Sequence, residues 1–168
     1  CDAVETAEAW EIALASTETP SVMTVSRQGL PTVRSERTNE NLTQKGGYIL
    51  RNVRGARDIT LMATGSEVTI GLDAADILKD QGYNVAVVSM PCWELFDQQS
   101  DQYRQSVLGS APRIAIEALI GFGWDRYLRT QDVFIGMNGF GASGPAPKLY
   151  QHFGITKEKI CETAHRLI

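Results

Sequence analysis

Apolar residues along this chain fall into two patterns, stripes with the helical period and short continuous runs, separated by polar or Gly/Pro-marked breaks. Ala3, Ala7, Trp10 and Leu14 recur at helical spacing and predict an amphipathic helix over residues 3–15, with Glu8 and Glu11 turned outward. Asp2, with Glu5 three positions later, reads as a capping box that opens it. After Ser16 to Pro20, the β-branched run Val22-Met-Thr-Val25 predicts a short buried strand. Residues 31–47 are polar, alternate in charge and break at Gly46-Gly47, which predicts a linker.

From Tyr48 onward the two patterns alternate regularly. Tyr48-Ile-Leu50 predicts an edge strand, and Ile59-Thr-Leu-Met-Ala63 is a continuous apolar run of the kind that parallel sheets cover on both faces. A helix follows over residues 67–80, with Val68, Leu72, Ala75 and Leu78 as its buried stripe and Gly82 as its stop. Further strands are predicted at residues 84–89, 113–117 and 133–135. Helical turns or helices are predicted at 91–96, 100–108 and 123–129. Pro147 opens a helix that Gly154 ends, and Thr156 caps a last helix running to Leu167, with Ile155 and Ile160 as a hydrophobic staple.

Strands alternating with helices predict a three-layer α/β/α fold over residues 48–168, with a mixed, mainly parallel sheet. Residues 1–32 read as the helix-and-strand tail of a preceding α/β unit, and residues 33–47 as the connection. A chain that opens directly on a helix cap is expected to be a trimmed product or, preferably, a fragment of something longer.

Composition narrows the function classes. The 168 residues are 43% hydrophobic and 21% charged, ordinary for a folded domain, and the formal charge of −4 gives no electrostatic reason for a nucleic-acid partner. No apolar run approaches a bilayer span and no leader pattern is present, so membrane and secretory classes are not expected. Three widely spaced cysteines suit neither a zinc knuckle nor a disulfide framework, and predict a reduced, cytoplasmic setting.

Few groups suggest chemistry. His152 and His165 lack metal-like spacing and read as helical surface residues. Cys92 follows a strand and precedes a helical turn, a place where thiols become reactive, but Trp93 beside it favours packing. Cys161 reads as structural. Gly65 and Ser66 place free amides at a helix start and form a weak candidate anion site, which Glu67 opposes by its charge. The glycine-rich run 136–144 lacks a nucleotide signature and reads as an irregular crossing, with Phe140 anchoring it to a core or a neighbour. Glu117 ends a strand and is expected to pair with Arg113 or Arg126. Arg51, Arg54 and Arg57 form no broad basic face. Arg27, with Gln28, comes just after the Val22–Val25 run and before Gly29. It reads equally as a phosphate clamp at a strand's carboxyl end or as a surface ion pair with Glu18 or Glu36.

Several segments, in order, resemble the carboxyl-terminal part of transketolase. These are Cys1-Asp-Ala-Val-Glu-Thr-Ala-Glu-Ala-Trp10, Val25-Ser-Arg-Gln-Gly-Leu-Pro31, Met62-Ala-Thr-Gly-Ser-Glu-Val68, Val88-Ser-Met-Pro-Cys-Trp-Glu94, Ile135-Gly-Met-Asn-Gly-Phe-Gly-Ala-Ser-Gly-Pro145 and His152-Phe-Gly-Ile-Thr156. The resemblance covers nearly the whole chain. It implies a homodimeric enzyme that uses thiamine diphosphate and Mg²⁺ (or Ca²⁺) to move a two-carbon ketol unit between sugar phosphates. It also implies that Arg27 is a substrate ligand on the sugar's phosphate, that no catalytic residue lies in this stretch, and that the stretch by itself holds no cofactor and is silent. Gly144-Pro145 stands where the family often has Ala-Pro, which implies a local backbone change only. The alternative is a free-standing α/β anion-binding or regulatory module using the Gly65 turn.

Overall fold

The computed structural model of the chain describes residues 1–35 and 38–168. The order of elements is α1 (Ala3–Ala15), a 3-10 turn (Thr43–Lys45), β1 (Tyr48–Arg51), β2 (Ile59–Ala63), α2 (Glu67–Asp80), β3 (Val85–Ser89), α3 (Trp93–Asp97) and α4 (Asp101–Leu108). Then come β4 (Arg113–Ile116), a second 3-10 turn (Trp124–Arg126), β5 (Val133–Ile135), α5 (Ala146–Phe153) and α6 (Lys157–Leu167). The strands form one five-stranded sheet in the order β1-β3-β2-β4-β5. β1 runs antiparallel to β3, and every other neighbouring pair is parallel.

Alternation of side chains along the buried strands divides the core in two. Ile59, Leu61 and Ala63 of β2 join Val87 and Ile114 on one face, under Val68, Ala75 and Leu78 of α2 and Ile160 and Ala164 of α6. Met62, Val88 and Ala115 point to the other face, under Phe96 of α3, Val107 of α4, Trp124 and Tyr127. Two helical layers around one sheet make the three-layer α/β/α architecture, as the continuous apolar runs predict. Gly46 lets the chain enter β1: its φ is +75°, and a Cβ there would stand 2.2 Å from the backbone nitrogen of Phe96.

The chain leaves β2 through α2 to β3 on one side, then returns past β2 to β4 on the other. The point where strand order reverses therefore lies between the carboxyl ends of β2 and β4, where open α/β sheets gather ligands.

Three expectations are corrected. Val22–Val25 forms no strand, and Val22 and Val25 are 89% and 69% exposed. A strand needs a neighbour for its ladder, and no strand of the described residues lies beside this run. The helix expected at 123–129 is only the 3-10 turn Trp124–Arg126. α1 has the expected bounds but the opposite orientation: Trp10 and Leu14 are 55% and 77% exposed, and Glu8 faces the domain rather than solvent.

Candidate functional site

The carboxyl edge of the sheet gathers the polar groups. At the β3 and β1 end, α1 lays down a row of carboxylates at helical spacing: Asp2, Glu5 and Glu8. Asp2 caps α1 by accepting from the backbone N–H of Glu5 at 2.9 Å. Its second oxygen accepts from the N–H groups of Val33 and Arg34, both at 3.0 Å. The Glu5 carboxylate does not close the capping box. It is buried and accepts from the hydroxyls of Tyr48 (2.8 Å) and Ser89 (2.6 Å), the residues paired at the sheet's edge.

Glu8 receives a bidentate grip from Arg34 at 2.6 and 2.7 Å, and both the hydroxyl and the N–H of Thr43. Burial alone would raise the Glu8 carboxyl, but the bonds from Arg34 and Thr43 prevail and hold it at about 2. The bond to Glu8 in turn raises the Arg34 guanidinium above its ordinary range. Burial, with Glu5 adding to it, pushes the Tyr48 hydroxyl well above the usual tyrosine value.

At the β2 end, the Gly65-Ser66 turn meets α5. Ser66 Oγ donates to Glu67 Oε1 at 2.8 Å, and the Tyr150 hydroxyl donates to the same oxygen at 2.5 Å. Burial and the bond to Glu67 push Tyr150 up to about 12, against a lowering contribution from the Ser66 hydroxyl. An anion at this turn would meet the Glu67 carboxylate, which is only 5% exposed.

Arg27 itself is exposed on the bend, and no ion pair with Glu18 is formed. Glu36, its other expected partner, lies outside the described residues.

At the β4 end, Glu117 accepts from Trp124 Nε1 at 2.7 Å. The expected pairing with Arg113 or Arg126 does not occur. Arg113 stands at the opposite end of β4, where it donates to the carbonyls of Tyr127 and Gly109, and Arg126 pairs with Asp97. Burial raises the Glu117 carboxyl, and the nearby Glu67 charge raises it further.

Other candidates stay apart from this edge's chemistry. The Cys92 thiol contacts Glu94, and burial raises it, the reverse of an activated thiol. Trp93 beside it packs edge-on against Trp124 and Tyr127. Cys161 is buried, as a structural residue should be. His152 and His165 are exposed, His165 against Gln81. Arg51 pairs with Asp76, and Arg57 donates to the carbonyls of Val107 and Ser106. Phe140 is fully exposed and anchors its loop to no part of this core.

Among the described residues no three His, Cys, Asp or Glu side chains are grouped to hold a metal ion. Among them, too, no helix is long and apolar enough to cross a membrane.

The carboxylate row of α1 was missed by sequence reasoning. Its signal is present in the spacing of Asp2, Glu5 and Glu8, but Asp2 and Glu5 read as a capping box and Glu8, with Glu11, as turned outward.

Comparison with known proteins agrees with the fold. Residues 46–156 match the family model described as the transketolase-like TK C-terminal domain. The chain is 57% identical over 167 residues to a transketolase of Cereibacter sphaeroides, covering 99% of this chain and 25% of that protein. It is 54% identical over 168 residues to a transketolase of Sinorhizobium medicae, again covering 99% of this chain and 24% of the relative. Among solved structures, a transketolase of Pichia stipitis in complex with sedoheptulose 7-phosphate superposes with a TM-score of 0.88 at 38% identity, over 99% of this chain and 24% of that one. The chain spans about a quarter of the length of these proteins, and it belongs to the transketolase family through the C-terminal domain.

Proposed function

We propose that this stretch is the C-terminal portion of a cytoplasmic, homodimeric transketolase that transfers a two-carbon ketol unit between ketose and aldose phosphates. The observation that carries the reading is ordered identity, 57% over 167 residues, to a transketolase on a matching fold. Thiamine diphosphate and a divalent metal belong, on this reading, to the part of the enzyme outside these 168 residues, and they supply the carbanion chemistry when bound.

This chain's own contribution is Arg27. A guanidinium on an exposed bend, with no carboxylate within ion-pair reach among the described residues, is free to grip a substrate phosphate through two parallel hydrogen bonds. The α/β/α domain by itself is silent.

Two measurements test this. In the full-length product of the gene, Arg27→Ala should raise KM at least tenfold for a phosphorylated aldose while leaving kcat for the unphosphorylated two-carbon aldehyde unchanged. Equal loss on both substrates would remove Arg27 from phosphate binding. Calorimetric titration of the 168-residue chain with thiamine diphosphate and Mg²⁺ should give no heat above dilution. Stoichiometric binding would place the cofactor site within this stretch and overturn the assignment.

A further inference from the structure

One side chain ties the start of α1 to the chain that returns from the Arg27 bend. Asp2 uses one carboxylate oxygen to cap α1, accepting from the Glu5 N–H at 2.9 Å. The other oxygen accepts from the N–H groups of Val33 and Arg34, both at 3.0 Å. A cap needs only one oxygen, and serine supplies it as well as aspartate does. The second oxygen therefore serves the returning chain, and it does so in a dry setting, with Asp2 4% and Arg34 8% exposed. Around it the base is firm. Glu5 fastens the start of α1 to Tyr48 and Ser89 of the sheet, Glu8 grips the Arg34 guanidinium, and Val33 packs against the apolar core. The segment that carries Arg27 thus leaves α1 at Ala15 and is held to the same frame again at Val33. Pinning both ends closes a loop, and a closed loop confines its bend more narrowly than a free one.

We propose that Asp2 is a positioning residue for Arg27. Through the backbone of Val33 and Arg34 it fixes where the bend holds the Arg27 guanidinium, and so how well that group meets a substrate phosphate. The proposal rests on the reading of Arg27 as the phosphate ligand. A two-pronged grip is directional. A small displacement of the segment that carries it weakens the hold on a phosphorylated substrate and leaves an unphosphorylated one untouched.

The test uses the full-length gene product. Asp2→Ser keeps a capping oxygen and removes the second one. Asp2→Asn, with the same shape and one acceptor oxygen, serves where Asp2→Ser does not fold. The variant should raise KM for a phosphorylated aldose about tenfold and move KM for the unphosphorylated two-carbon aldehyde by less than about twofold. In an Arg27→Ala background it should add nothing further. Three results overturn the proposal while Arg27 keeps its role: a phosphorylated-aldose KM within about twofold of the natural enzyme's, equal loss on both substrates, or a rise of the same size on top of Arg27→Ala. If Arg27→Ala itself fails to separate the two substrates, the reading of Arg27 falls, and the role of Asp2 with it.

Discussion

The Glu8 carboxylate holds the Arg34 guanidinium by two parallel hydrogen bonds of 2.6 and 2.7 Å, joining a helix to a segment 26 residues away in sequence. Both side chains are nearly dry, at 14% and 5% exposure, so removing one partner strands the other. Arg34→Ala or Glu8→Ala should each cost about 2–4 kcal/mol, and the double variant less than the sum, with a coupling of about 1–3 kcal/mol. Chemical denaturation of the four chains measures the cycle. Additive losses would mean that the pair does not act as a unit.

The same carboxylate makes stability depend on acid. Its folded value of about 2 lies below the ordinary 4.5, so its contribution is complete above pH 4.5 and lost as pH falls towards 2. Thermal unfolding between pH 5 and pH 2.5 should show a steeper fall in Tm for the natural chain than for Glu8→Gln. Parallel curves would assign the acid sensitivity elsewhere.

Trp10 and Leu14 carry little stability in these 168 residues. Replacing both by Ser should change unfolding free energy by no more than about 0.5 kcal/mol per site, since each is largely exposed. Leu78→Ala, at a site with no exposure, should cost about 2–5 kcal/mol under the same conditions. A large cost at Trp10 would mean that α1 packs through its apolar face after all.

Gly46 and Gly55 both have positive φ, yet they differ in surroundings. At Gly55 nothing lies within 4 Å of an added Cβ, so Gly55→Ala should cost only the backbone strain, about 1–2 kcal/mol. At Gly46 the Cβ would strike the backbone of Phe96, Cys92 and Leu95, and Gly46→Ala should cost more than about 3 kcal/mol or prevent folding. Circular dichroism melts of the two variants decide the comparison.

What could be read from the sequence follows from how local each signal is. Ile59–Ala63 and the helix Glu67–Asp80, with Gly82 just beyond it, were legible because an apolar run and a glycine stop are written in adjacent residues. Val22–Val25 was misread because strand formation depends on a neighbour that composition does not reveal. The face of α1 was misread for a related reason: a carboxylate stripe is buried only when donors wait for it, and those donors, Arg34, Thr43, Tyr48 and Ser89, lie 26 to 84 residues away. Glu117 shows the geometric limit. Arg113 is four positions away, which brings side chains together on a helix but puts them at opposite ends of a strand.

The polar docking of α1 also bears on how this domain can be transplanted. A chimera spliced between Arg34 and Thr43, inside the stretch that looks like a spacer, would part Glu5 from Tyr48 and Ser89 and Glu8 from Thr43. Tyr48 and Ser89 would then face a foreign helix with no acceptor for their hydroxyls. A crossover placed between Ser16 and Val22 would part all three acids from Val33, Arg34, Thr43, Tyr48 and Ser89 at once, because α1 would come from one parent and every donor from the other. Recombination libraries should therefore move α1 together with the sheet it docks on.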